Sequence, residues 1–128
     1  MKSGNKNEVL KEKLKQALTS TARAISDDFK NRDKPDKNEK SKFFDNFDLE
    51  NLNSKSDFIK ARAEADSLAL KKKFSDDTIF KKNSPSNLSC KSLYSIAEKI
   101  RYESLGCKML KGIQKNLIEN YNQVIELK

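Results

Sequence analysis

Chemistry in this chain would have to come from carboxylates, guanidinium groups and two thiols, because none of its 128 residues is histidine. That removes the commonest metal ligand and the usual general base at neutral pH, together with any Ser–His or Cys–His nucleophile built within the chain. The three glycines, Gly4, Gly106 and Gly112, stand too far apart to form a phosphate-cradling loop or a dinucleotide turn. Cys90 and Cys107 have no metal-ligand spacing and read as free thiols of a reducing cytoplasm. Asp76 and Asp77 are adjacent carboxylates, best read as a helix cap followed by a solvated acid. What remains is a set of charges at helical spacing: Arg62 with Asp66, and Glu98 with Arg101 and Glu103. Groups three or four residues apart can pair along a helix for roughly 0.2–0.5 kcal/mol. They can equally bridge to a neighbouring helix or meet a partner protein. No catalytic, cofactor-binding or metal-binding residue is expected, and the chain is not expected to be catalytic alone.

Helices must position these charges. Leu10, Leu14, Ala17, Leu18, Thr21 and Ile25 recur at helical spacing and predict an amphipathic helix over 8–25. Residues 27–42 hold Asp27, Asp28, Asp33, Pro35 and Asp36 among lysines, a charged and poorly ordered linker with almost nothing to bury. Phe43, Phe44, Phe47, Leu49 and Leu52 follow as a Phe-rich strap. Ser56 or Asp57 is placed to cap a second helix through Phe58, Ile59, Ala61, Ala65, Leu68 and Ala69, whose alanines suggest close approach to another helix. Ser75 or Asp76 caps a short turn through Ile79 and Phe80, ended by Asn83, Ser84 and Pro85. A third helix starts near Ser89, is expected to bury Leu93, Ile96, Ala97, Ile100 and Ser104, and stops at Gly106. A last helix carries Met109, Ile113, Leu117, Ile118, Tyr121 and Ile125 on one face. The expected fold is all-α, a small bundle of three to four main helices. It divides into an N-terminal amphipathic helix (1–26), the linker and strap (27–55) and a helical core (56–128).

There are 27 Lys and Arg against 19 Asp and Glu, a net charge of +8. A basic chain invites a nucleic-acid reading, but the excess is spread out and interleaved with acids. The only tight cluster is Lys71–Lys73, and no aromatic-studded basic patch accompanies it. Nucleic acid is therefore not the expected partner. No apolar run approaches the roughly 20 residues that cross a bilayer, and Met1–Asn7 leads into a charged stretch unlike a signal peptide. The expectation is a cytoplasmic protein without membrane contact.

Two stretches carry a resemblance: RAEADSLALKKKFSDDTIF from Arg62 to Phe80 and AEKIRYESLGCKMLKGIQKNL from Ala97 to Leu117, with a proline between them. Together they resemble the N-terminal region of cobaltochelatase T subunits (CobT-type). The matching positions are Arg62, Ala65, Asp66, Ala69, Leu70, Asp76 and Pro85, then Glu98, Arg101, Glu103, Gly106, Met109, Gly112, Asn116 and Leu117. More weakly, Arg23–Ser26 resembles a segment near the family's start. Ala63 replaces a family glycine, and Ser75 and Phe80 fall where the family has histidines, so no metal site is carried over.

The resemblance implies a non-catalytic part of an ATP-dependent complex that inserts cobalt into a corrin ring during aerobic cobalamin synthesis. Its implied partners are an AAA+ ATPase subunit and a large corrin-binding subunit. ATP, magnesium and cobalt belong to that complex, and no cofactor is expected on this chain. Full T subunits continue into an acidic region and a von Willebrand factor A-type domain with an ion site, and no D-x-S-x-S segment of that kind occurs here. Arg62, Asp66, Glu98, Arg101, Glu103 and Asn116 are either the partner interface or an intradomain network. In the network reading, Arg62 and Asp66 reach Glu98, Arg101 or Glu103. Gly106 is read as a left-handed helix end and Gly112 as a site of close helix contact. Met109 is read as core. The competing readings are a small basic nucleic-acid-binding protein and a decayed fragment without activity.

Overall fold

The structure is a computed structural model and describes residues 2–26 and 52–126. The linker expected at 27–42 and the strap's phenylalanines lie outside the described residues. Among those described, five α-helices and no strand are found: α1 (Lys2–Ser26), α2 (Lys55–Phe74), α3 (Asp77–Lys82), α4 (Leu88–Met109) and α5 (Lys111–Glu126). This is the all-α bundle the periodicity predicts, with four long helices and one short.

The second helix is the centre, touching α1, α4 and α5. It buries Ala61, Ala63, Ala65, Asp66, Ser67, Ala69 and Leu70, residues that point around the helix instead of along one stripe. A helix enclosed by three others needs small side chains on several faces, which explains its alanines. Its start is Ser54, not Ser56 or Asp57. The Ser54 hydroxyl accepts from the Asp57 N–H, and the Asp57 carboxylate accepts from the Ser54 N–H, closing a reciprocal capping box. Asp57 is its third position, and its carboxyl pKa is lowered first by the bond it accepts from the Asn53 N–H, then by those it accepts from the Ser54 hydroxyl and N–H.

The main core joins Ala22 and Ile25 of α1, Ala63, Ala69 and Leu70 of α2, Tyr102 of α4, and Ile113 and Leu117 of α5. A smaller cluster pairs Leu18 with Ala65. The buried stripe of α1 is thus Leu18, Ala22 and Ile25, while Leu10, Ala17 and Thr21 of the expected stripe are exposed. Only its C-terminal half meets the core clusters.

Asp76 caps α3 by accepting from the Thr78 and Ile79 N–H groups, and Asn87 caps α4 by accepting from Ser89 and Cys90. The expected inner face of α4 is corrected. Leu93, Ile96, Ala97, Ile100 and Ser104 are all exposed, and Tyr102, Glu103 and Gly106 are buried instead. One reason is orientation: at about 100° per residue this stripe lies well round the helix from Tyr102, Glu103 and Gly106, which turn toward α2. The other is length. Glu98 and Arg101 already sit at the C-terminal end of α2, bonded to Ser75 and the Phe74 carbonyl. Residues 88–97 therefore lie beyond the end of the central helix. Phe80 of α3 stacks on Tyr94 there, with ring centroids 4.8 Å apart.

Gly106 does not stop α4, which continues to Met109 with Leu110 as its cap. It lies where α4 crosses α2. A Cβ there would overlap both δ-carbons of Leu70 and sit 2.9 Å from its Cγ, so the contact itself requires glycine. Gly112 is the reverse case. It lies in the first turn of α5, and a Cβ would meet nothing within 4 Å, so close helix contact is not its reason. On α5 only Ile113 and Leu117 of the expected face are buried, while Ile118, Tyr121 and Ile125 stand exposed because this helix packs on α2 and α4 from one side. Met109 is 40% exposed, not core.

Candidate functional site

The singled-out charges gather along the seams between α2, α4 and α5. Arg62 and Asp66, one turn apart on α2, face α5 and not α4. The Arg62 guanidinium donates to Glu119 at 3.2 Å and lies over the Phe58 ring at 5.4 Å. Its Nε is buried with no acceptor, a donor left unpaired. Asp66 is 2% exposed and accepts a 2.7 Å bond from the Asn116 side-chain amide. Burial raises its carboxyl pKa, against the Asn116 bond and the Arg62 charge, which both lower it.

Glu103 lies at the seam of α4. It is 7% exposed, and each carboxylate oxygen accepts one short bond, from the Ser67 hydroxyl at 2.6 Å and the Tyr121 hydroxyl at 2.6 Å. One carboxylate thereby ties α4 to both α2 and α5, with Lys99 at 3.9 Å as its cation. The Tyr121 phenol is held well above its ordinary range, first by desolvation and then by the bond to Glu103. Sequence reasoning missed Ser67, Glu119 and Tyr121. Only the helical spacing of Tyr121 pointed to it, and that suggested core.

Glu98 and Arg101 form a two-point pair at 2.7 and 2.9 Å. The same guanidinium donates to the Phe74 carbonyl at 2.6 Å, and Ser75 donates to Glu98 at 2.9 Å. A cation placed on the last carbonyl of α2 complements the negative end of that helix. The Arg101 bonds hold the Glu98 carboxyl below its usual range. These contacts bring α2 and α4 into register.

Beside the Asp66–Asn116 pair a cleft of about 440 Å³ opens between the end of α1, the middle of α2 and the corner where α4 turns into α5. Its wall includes Ile25, Asp66, Met109, Gly112, Ile113 and Asn116. Among the described residues no group of three or more His, Cys, Asp or Glu side chains could hold a metal ion. Cys90 is exposed and free, and Cys107 is a half-buried free thiol raised in pKa by burial. No helix of the described residues is long and apolar enough to cross a membrane.

Known proteins bear on this arrangement at one point. No curated protein and no solved structure matches the chain. A family model described as "Cobalamin biosynthesis protein CobT" does match, over residues 8–127. That span takes in α1 from its second turn, all of α2 to α5, and every residue of the polar seams. With nearly the whole chain covered, it belongs to the CobT family of cobalamin biosynthesis proteins.

Proposed function

We propose that this chain is a non-catalytic interaction module of an ATP-dependent cobaltochelatase, the complex that inserts cobalt into a corrin ring, and that it docks on the AAA+ ATPase subunit of that complex. Family membership supports the pathway. The observation that supports docking is the outer face of α4, where Leu93, Ile96 and Ile100 are 68%, 56% and 60% exposed at i, i+3 and i+7. Three large apolar side chains in one helical stripe form the kind of patch that marks a protein interface. The stripe runs past the end of α2, so a partner reaches it without disturbing the core. The polar seams hold the helices beneath it in place.

The test is size-exclusion chromatography of the chain with the AAA+ subunit, with and without ATP and magnesium. Co-elution is expected, and Ile96→Asp abolishes it while leaving the helical circular dichroism unchanged. Separate elution of the two folded proteins overturns the docking reading. Undiminished co-elution of Ile96→Asp moves the contact off α4.

A further inference from the structure

Two residues that carry the family resemblance are left unexplained by the packing. Gly112 is the second residue of α5, and glycine has no helix-propensity advantage that would select it there. A side chain there would enter open space, so no described neighbour demands its absence. Asp66 is a carboxylate at 2% exposure whose one protein hydrogen bond among the described residues comes from a neutral amide. The nearest guanidinium, that of Arg62, is engaged with Glu119. A buried carboxylate without a cation bonded to it is costly. Both residues line the same 440 Å³ cleft, Asp66 set into its wall, and the other walls include Ile25, Met109 and Ile113.

We infer that this cleft is a binding site for an arginine side chain of a partner polypeptide. The guanidinium reaches the Asp66 carboxylate and the amide oxygen of Asn116. Its methylene stem lies along Ile25 and Ile113, and the partner's backbone crosses the surface at Gly112. Each unexplained feature then has a cause: the carboxylate gains its counter-charge, and the glycine keeps a Cβ out of the partner's path. Arginine fits better than lysine because its planar fork meets two acceptors at once and sheds water more readily on entering an apolar cleft. Lys73 also lines the cleft, but it is half-exposed and lies over the Phe74 ring at 5.7 Å. The buried charge is the acid. This inference does not depend on the identity of the docking partner proposed above.

The experiment is a titration of the ¹⁵N-labelled full chain with N-acetyl-arginine methylamide and with the corresponding citrulline compound, which keeps the shape and loses the charge. Saturable shifts are expected at the Gly112 and Ile113 amides and the Asn116 side-chain amide, with citrulline about tenfold weaker or worse. Asp66→Asn loses the arginine response. Gly112→Ala is the sharper variant, because its added Cβ meets nothing within 4 Å and so leaves the fold intact, yet it weakens binding of an arginine-containing tripeptide severalfold. Absent shifts at these three positions overturn the inference. So does equal binding of arginine and citrulline, or a Gly112→Ala protein that binds the tripeptide as well as the parent.

Discussion

Replacing Gly106 by alanine adds one methyl group at the tightest point between α2 and α4. The methyl would overlap both δ-carbons of Leu70, a side chain with 0% exposure that belongs to the main core. Leu70 must leave its rotamer or α4 must lift, and overpacking of this kind costs about 1–3 kcal/mol. Alanine returns about 1 kcal/mol as a better helix former. Because Leu70 is fully enclosed, the upper part of the overpacking range applies, and the net loss is about 1–2 kcal/mol. Leu70→Ala supplies the second half of a mutant cycle. Leu70→Ala alone opens a cavity and costs about 2–5 kcal/mol. In that background the Gly106→Ala methyl enters vacated space, the overlap is gone, and the same substitution turns stabilising by about 1 kcal/mol. The coupling between the two positions is then about 2–3 kcal/mol, at the top of the range for residues in contact. Urea unfolding followed by far-ultraviolet circular dichroism on the four proteins measures it, with Leu70→Val as a milder partner if Leu70→Ala is too unstable. Gly106→Ala with the same sign and size in both backgrounds would refute the crossing contact as the reason for the glycine.

Removing the Tyr121 hydroxyl with Tyr121→Phe leaves one oxygen of the buried Glu103 without its donor; the expected loss is about 1–3 kcal/mol in thermal unfolding, and an unchanged melting temperature would mean the bond contributes nothing. Ser54→Ala breaks the capping box of α2 and is expected to cost about 1 kcal/mol in urea unfolding, whereas Ser56→Ala leaves the cap intact. The two perturbed carboxylates predict opposite pH trends. Asp66 has a raised folded-state pKa, so its contribution is present at low pH and is lost as pH rises through the folded value. Glu98 has a lowered one, so its contribution is present above the ordinary glutamate range and is lost as pH falls through the folded value. Unfolding free energies from acid to neutral pH should therefore show Asp66→Asn gaining on the parent as pH rises and Glu98→Gln gaining on it as pH falls; parallel curves would contradict the assignment.

Helix existence was legible because periodicity reports it directly, and so was the alanine-rich crossing surface of α2. The coverage of a face was not. Leu93, Ile96 and Ile100 form a sound apolar stripe, but a stripe says which side of a helix is apolar and not whether a neighbour reaches it. Here Tyr102, Glu103 and Gly106 turn toward α2 while the stripe faces away, and its first residues lie past the end of α2 at Phe74. Gly106 misled for a related reason. A glycine near the expected end of a helix looks like a terminator, while its real constraint is a leucine 36 positions earlier in the chain. Arg62 and Asp66 were expected to reach Glu98, Arg101 or Glu103 on α4, and they meet α5 instead. Their partners, Glu119 and Asn116, depended on which helix lay opposite, and spacing within α2 carries no information about that.

The positions that carry the family resemblance separate once their contacts are known. Ala65, Ala69, Leu70, Gly106 and Leu117 form the helix crossings and core, and Asp76 caps α3. Glu98 and Arg101 tie off the end of α2, while Glu103 joins three helices. Requirements internal to the domain account for all of these. Gly112 has no such requirement, and Asp66 has only part of one. The outer face of α4 contributes Leu93, Ile96 and Ile100 and none of the matched positions. This division follows from how tolerant each kind of surface is. An apolar docking face works with any side chain of suitable size, because burial of area is non-directional, so its residues are free to vary in identity. A close backbone approach accepts only glycine, and a buried ion pair accepts only a charge of the right sign and reach. Sequence matching therefore selects positions such as Gly112 and Asp66 and overlooks an apolar face such as that of Leu93, Ile96 and Ile100.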